Sequence, residues 1–223
     1  MKKFCIILST VILLVGAVLC AAACTSTPQE EDNHISYMQQ SFFWGKNKDF
    51  EARLVVGTAE TMFVADGKTV EVVPFATLTI VPLHVDLFNE TYEYTLTGIS
   101  GNGEGKLDKD SFGATYSAAL HDLDRLGTPQ TVTIKSTKIE ATIELENMLA
   151  NSITGVTALE TAEKQLADKL AADNKEREIY VKYINDADND KSAYYWYVAF
   201  IASPTDYYAV LVDDKGQVVS VNP

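Results

Sequence analysis

Beyond residue 24 the chain has no cysteine; its three are Cys5, Cys20 and Cys24. A thiol nucleophile, a thiolate metal site and a disulfide framework are therefore excluded from everything that follows. Histidine is as scarce, with His34, His84 and His121 the whole supply. His121 precedes Asp122-Leu123-Asp124, a base beside acids, yet no HExxH occurs and no two histidines stand at ligand spacing. They read as solvated or strand-borne side chains rather than catalytic ones. Positive charge is also short, with 18 Lys and Arg against 31 Asp and Glu and a net charge of −13. So acidic a chain disfavours nucleic acid and anionic lipid surfaces as partners.

What the sequence has in plenty at its start is apolar residues. Lys2 and Lys3 precede an apolar run to Leu19, small residues Ala21-Ala22-Ala23 follow, and Cys24 comes next. A charged start, an apolar stretch and a small-residue site together form an export signal. The ending Ala21-Ala22-Ala23-Cys24 resembles the lipobox of bacterial lipoproteins, although Ala21 occupies the place where that pattern prefers Leu. The resemblance implies that residues 1–23 are removed and that Cys24 carries a lipid on the outer side of the cell membrane. The same residues also fit a plain Ala-x-Ala cleavage site. The apolar run approaches the roughly 20 residues that span a bilayer, so secreted and uncleaved forms are the alternatives. Loss of Lys2 and Lys3 would leave 16 basic against 31 acidic residues, a net of −15.

Residues 25–33 are polar, charged and without periodicity, too poor in apolar surface to offset the entropy of ordering. The reading assigns residues 24–45 to a tether, 46–150 to a β-rich domain and 151–223 to a smaller unit. Alternation of apolar and polar residues over four to eight positions marks half-buried strands. It recurs at residues 76–81 and 92–97, and further β-rich stretches lie at 51–57, 60–65, 68–73, 114–120, 130–135 and 138–145. Asp66-Gly67 is a hairpin turn. Gly98 to Gly113 reads as a loop, in which Gly98-Ile99-Ser100-Gly101-Asn102-Gly103 falls short of a nucleophile elbow. About eight short strands without a helix predict an antiparallel sandwich-like or rolled sheet.

A helix is predicted after residue 155, where Thr157-Ala158-Leu159-Glu160 has the form of a capping box. Leu159, Ala162, Leu166 and Leu170 then make one apolar stripe. Strands follow at 178–184, 193–202, 206–212 and 217–221, with Asp213-Asp214-Lys215-Gly216 turning the last pair. The expected class is α+β, mostly β.

This last unit resembles a PepSY-type domain. The likeness rests on the helix at 158–172, the strand Tyr194-Tyr195-Trp196-Tyr197-Val198-Ala199-Phe200, and the ending from Tyr208 through Asp213-Asp214-Lys215-Gly216 to Val219. Such domains occur in exported bacterial proteins and restrain proteases or modulate partners without catalysis. The resemblance therefore implies a regulatory or binding module.

Two further constellations are candidate sites. Asp186, Asp188 and Asp190 have the 1-3-5 spacing of a calcium loop, but Lys191 and Tyr197 stand where Gly and Glu are needed. A solvated hairpin loop is the expectation, with no cofactor or metal. The strand at 194–201 is apolar on both faces, as buried strands are. One helical stripe covers only one face, so the other must meet the β-rich domain, a second copy or an outside ligand. Docking onto the β-rich domain is the expectation, and in the alternative Tyr194, Tyr195, Trp196 and Tyr197 are the candidates for contacting an unidentified protein or peptide. The sequence thus predicts a non-catalytic, membrane-anchored extracytoplasmic binding or accessory protein. A regulator of an exported protease and a carboxylate-based envelope hydrolase are the alternatives.

Overall fold

The computed structural model describes residues 34–60, 71–98, 103–111, 113–120, 128–173, 175–186 and 190–222. The predicted turn at Asp66-Gly67 and His121, Ser100 and Asp188 lie outside them. Among the described residues thirteen strands and one α-helix follow in chain order: β1 (His34–Lys46), β2 (Phe50–Glu60), β3 (Val72–Pro82), β4 (Tyr92–Thr97), β5 (Glu104–Lys109), β6 (Tyr116–Ala119), β7 (Thr131–Lys135), β8 (Glu140–Glu144), β9 (Glu146–Asn147), α1 (Gly155–Asp173), β10 (Glu178–Asp186), β11 (Asp190–Ser203), β12 (Asp206–Val212) and β13 (Val218–Asn222). The protein is α+β and mostly β, with antiparallel pairing throughout except between β1 and β10.

Residues 34–45, expected in the tether, belong almost wholly to β1, which organises the rest of the fold. Its second half pairs with β2 on one side and with β9 on the other, Trp44 opposite Glu146 and Phe43 opposite Asn147. The strands run in the order β1-β2-β3-β6-β5-β4-β7-β8, and β9 continues β8 back to β1. The sheet thereby closes into an eight-stranded barrel, the rolled form of the expected sheet. At the seam a Cβ on Gly45 would collide with the Glu144 carbonyl oxygen, so the absence of a side chain lets the two strands meet.

Period-two alternation fills this barrel. Phe50, Ala52 and Leu54 of β2, Ala76, Leu78 and Ile80 of β3, Tyr92, Tyr94 and Leu96 of β4, and Val132 and Ile134 of β7 all point inward and are buried. Eight strands leave an interior wide enough for side chains alone. Phe50, Tyr92 and Tyr116 stack edge to face within it, at 5.5 Å and 4.8 Å between centroids. The two hydroxyls donate to the carbonyls of Leu87 and Phe88, each at 2.6 Å, and so satisfy their buried polar ends. Those carbonyls belong to a 3-10 turn at Val85–Leu87 and its cap. His84 precedes this turn rather than lying in a strand, and its Nε2 is 3.0 Å from the Lys48 carbonyl oxygen.

The first half of β1 stays paired with β2 on one side, while its other side pairs in parallel with β10, starting the run β10-β11-β12-β13. Where β1 bulges between Gln39 and Ser41, the Gln39 side-chain oxygen accepts from the Tyr183 amide at 3.1 Å. It stands in there for a ladder partner. α1 packs on one side of this sheet through Ala158, Leu159, Ala162 and Leu166 against Trp196, Val198, Phe200, Val210 and Val212. Phe42 of β1 joins this second core while its neighbour Phe43 joins the barrel core. One strand thus supplies both cores, and residues 33–223 form one compact unit.

The α1 cap differs in position from the expected box. The Thr154 hydroxyl oxygen accepts from the Thr157 amide at 3.2 Å, so Thr154 caps and Thr157 lies in the first turn. β5 was expected to be loop.

Candidate functional site

Strand pairing decides which side chains share the face that α1 leaves uncovered. Tyr37 lies opposite Tyr180, Tyr180 opposite Ala199, and Ala199 opposite Ala209. Lys182 lies opposite Tyr197, Tyr197 opposite Leu211, Ile184 opposite Tyr195, and Ile201 opposite Tyr207. These residues therefore form one continuous apolar and aromatic face, extended on the β3 side by Phe75, whose ring is 5.1 Å from that of Tyr37. Ala199 at its centre is buried, whereas Ile184 and Tyr207 at opposite ends are 39% and 38% exposed. No described helix or strand packs over it.

The Lys182 ammonium lies over the rings of Tyr37 and Tyr180 at 5.0 Å and 5.4 Å, a cation–π arrangement in the middle of the face. Burial raises the pKa of Tyr37, and burial followed by the Glu178 carboxylate raises that of Tyr180. Burial likewise raises that of Tyr197. Tyr37, Tyr180 and Tyr197 are therefore neutral phenols at physiological pH.

The four candidate residues divide. Tyr195 and Tyr197 belong to the open face. Trp196 belongs to the α1-side core with no exposed surface, and its Nε1 donates to the Ser152 hydroxyl oxygen at 3.0 Å. Tyr194 points to the same side, half-buried and stacked on Tyr183 at 5.4 Å and 12°. Alternation along β11 separates the tetrad, and the helix takes the Trp196 side.

Tyr183 and Tyr194 line a cleft of about 570 Å³ between the β9 segment and the turn joining β12 to β13. Glu146, Asn151, Tyr195, Asp213, Asp214 and Lys215 are among its walls. The Tyr183 hydroxyl donates to Asp214 Oδ1 at 2.7 Å. Asp213 Oδ1 accepts from the Lys215 and Gln217 amides, and Gly216, at φ +81°, completes that turn. Burial first, then the Asp214 carboxylate, raises the Tyr183 pKa. Residue spacing gave no sign of this cleft, because its walls come from segments about 65 positions apart.

Of the calcium candidates, Asp186 ends β10 and Asp190 begins β11, and their backbones pair. Their side chains and the whole of Asp188 lie outside the description. Among the described residues no group of three or more His, Cys, Asp or Glu could hold a metal ion. None of the described helices is long and apolar enough to cross a membrane.

No protein-family profile matches the chain, and no curated protein matches it. A crystal structure from Clostridium difficile 630, described provisionally as that of a lipoprotein, matches 84% of this chain over 82% of its own. The two are 12% identical with a TM-score of 0.25, a likeness too loose to define a fold in common.

Proposed function

We propose that this chain is a lipid-anchored extracytoplasmic protein that works by binding a protein partner, without catalysis of its own. The observation that carries the reading is the open face of the sheet. Tyr37, Tyr180, Tyr195, Tyr197 and Tyr207 share it with Ile184, Ile201 and Leu211, around a single central cation. Rigid aromatic side chains of this kind dominate binding energy at protein interfaces. An aromatic face of this extent, uncovered by any described element, is what a docking surface needs and what a solvated sheet face lacks. The anchor rests on the sequence Ala21-Ala22-Ala23-Cys24.

Tagged protein with Cys24→Ser, followed through membrane fractionation and fatty-acid labelling, tests the anchor. The variant is expected to lose the label and leave the membrane while keeping its unfolding midpoint. A variant that stays membrane-bound contradicts the lipid anchor.

A second reading is supported by the order of elements, one helix followed by the antiparallel strands β10 to β13. It is the order expected from the PepSY-type resemblance, and in this reading the partner is an exported protease that the chain restrains. Slower peptide turnover by that protease in the presence of the chain is its signature.

A further inference from the structure

The cleft between β9 and the β12–β13 turn shares Tyr195 with the open face but has its own chemistry. Its volume of about 570 Å³ falls within the range of small-molecule sites. It also stands where the barrel meets the helix-covered sheet, the kind of junction at which such sites concentrate. Its walls are tied in place. The Ile153 amide donates to the Asp214 carbonyl oxygen at 3.0 Å, and the Tyr183 hydroxyl holds the Asp214 carboxylate. Trp196 fixes Ser152 from behind. A preformed site loses little entropy when a ligand enters.

Charge and ring surface narrow the ligand. Among the described residues Glu146, Asp213 and Asp214 face one cation, Lys215, so this part of the lining carries two excess negative charges. Asp213 and Asp214 each keep one carboxylate oxygen in a structural bond, which holds both side chains in place. Tyr194, Tyr195, Met148 and Val219 add aromatic and apolar wall beside these carboxylates. Carboxylates next to tyrosine rings favour an ammonium group on an apolar arm, through Coulomb and cation–π attraction together.

We infer that this cleft binds an organic ammonium: a primary amine on an apolar chain, supplied either by a free diamine or by a lysine side chain of a peptide. The full-length protein in a neutral detergent is titrated calorimetrically with cadaverine and with a doubly capped lysine. Their uncharged counterparts, 1,5-pentanediol and a doubly capped norleucine, serve as controls.

At least one amine is expected to bind with a dissociation constant below about 1 mM, and both neutral compounds at least about tenfold more weakly. Glu146→Gln, on an exposed side chain of β9, and Asp214→Asn are each expected to weaken the amine several-fold. Glu146→Gln keeps the test decisive should loss of the Tyr183 bond disturb folding in the other variant. Preference for cadaverine identifies a free amine as the ligand, and preference for capped lysine identifies a peptide side chain. Absence of amine binding up to about 10 mM overturns the inference. Equal binding of the neutral compounds, or wild-type affinity in Glu146→Gln, overturns it as well.

Discussion

Arg177, 1% exposed, holds the Asp206 carboxylate at 3.1 Å and so ties the start of β10 to the β11–β12 hairpin. The same guanidinium also pairs with Asp173 at the end of α1, donates to the Phe200 carbonyl oxygen at 3.3 Å, and lies 4.5 Å from the Tyr208 ring centre. The Tyr208 hydroxyl donates to Asp173 in turn at 3.0 Å. The end of α1, the β11–β12 hairpin and the start of β10 thus share one buried cation.

Removing that cation leaves Asp173 to the Tyr208 hydroxyl and Asp206 to Lys175. A fully buried pair broken in this way costs about 3–5 kcal/mol. Partial exposure of both carboxylates reduces the cost, and Arg177→Ala is expected to lower Tm by roughly 4–10 °C. Thermal unfolding by circular dichroism measures it. Lys175→Ala, which removes an exposed partner of Asp206, is expected to change Tm much less.

The same cluster sets a pH dependence. Burial raises the Asp173 pKa, but hydrogen bonds from Arg177 and Tyr208 outweigh it and hold the group below its ordinary 3.8. Hydrogen bonds from Lys175 and then Arg177 lower Asp206 in the same way. Carboxylates with a depressed folded-state pKa stabilise the fold above their unfolded value, and the contribution disappears as pH falls through the folded value. Urea midpoints are therefore expected to be insensitive to this cluster from pH 7 to 5 and to fall below about pH 4. In Arg177→Ala the acid slope should flatten. An unchanged slope would place the acid sensitivity elsewhere.

The helix start offers a sharper comparison. Since the Thr154 hydroxyl accepts the first-turn amide, Thr154→Ala is expected to cost about 1 kcal/mol. Thr157→Ala, at the position suggested by the Thr-x-x-Glu pattern, should cost clearly less. Chemical denaturation of the two variants distinguishes them, and the reverse order would restore Thr157 as the cap.

That pair shows how far the sequence is legible. Two threonines three residues apart both precede the apolar stripe, and only the path of the chain from β9 decides which one enters the helix. Strands with one buried face, such as β4 with Tyr92, Tyr94 and Leu96 inward, announce themselves by alternation. β1 does not, because Phe42 and Phe43 serve opposite cores and Gln39 and Gln40 interrupt the run at a bulge. β5 hides for another reason: Glu104, Lys106, Asp108 and Lys109 surround its one buried residue, Leu107. The aromatic strand was legible as apolar on both faces. The parallel pairing of β1 with β10 joins segments 144 positions apart, which local spacing does not encode. That pairing adds Tyr37 to the open face.

The central claim is that the open tyrosine face engages a protein partner. Its most direct test places the photo-crosslinker p-benzoylphenylalanine at Tyr197, at Tyr207 and, as a control on the outer wall of the barrel, at the exposed Lys135. Irradiation is done in cells carrying the anchored protein. The account predicts one discrete adduct shared by positions 197 and 207, absent at 135, and lost when Ala199→Arg is added to the face. Equal labelling at all three positions, or no adduct at either face position, would contradict it.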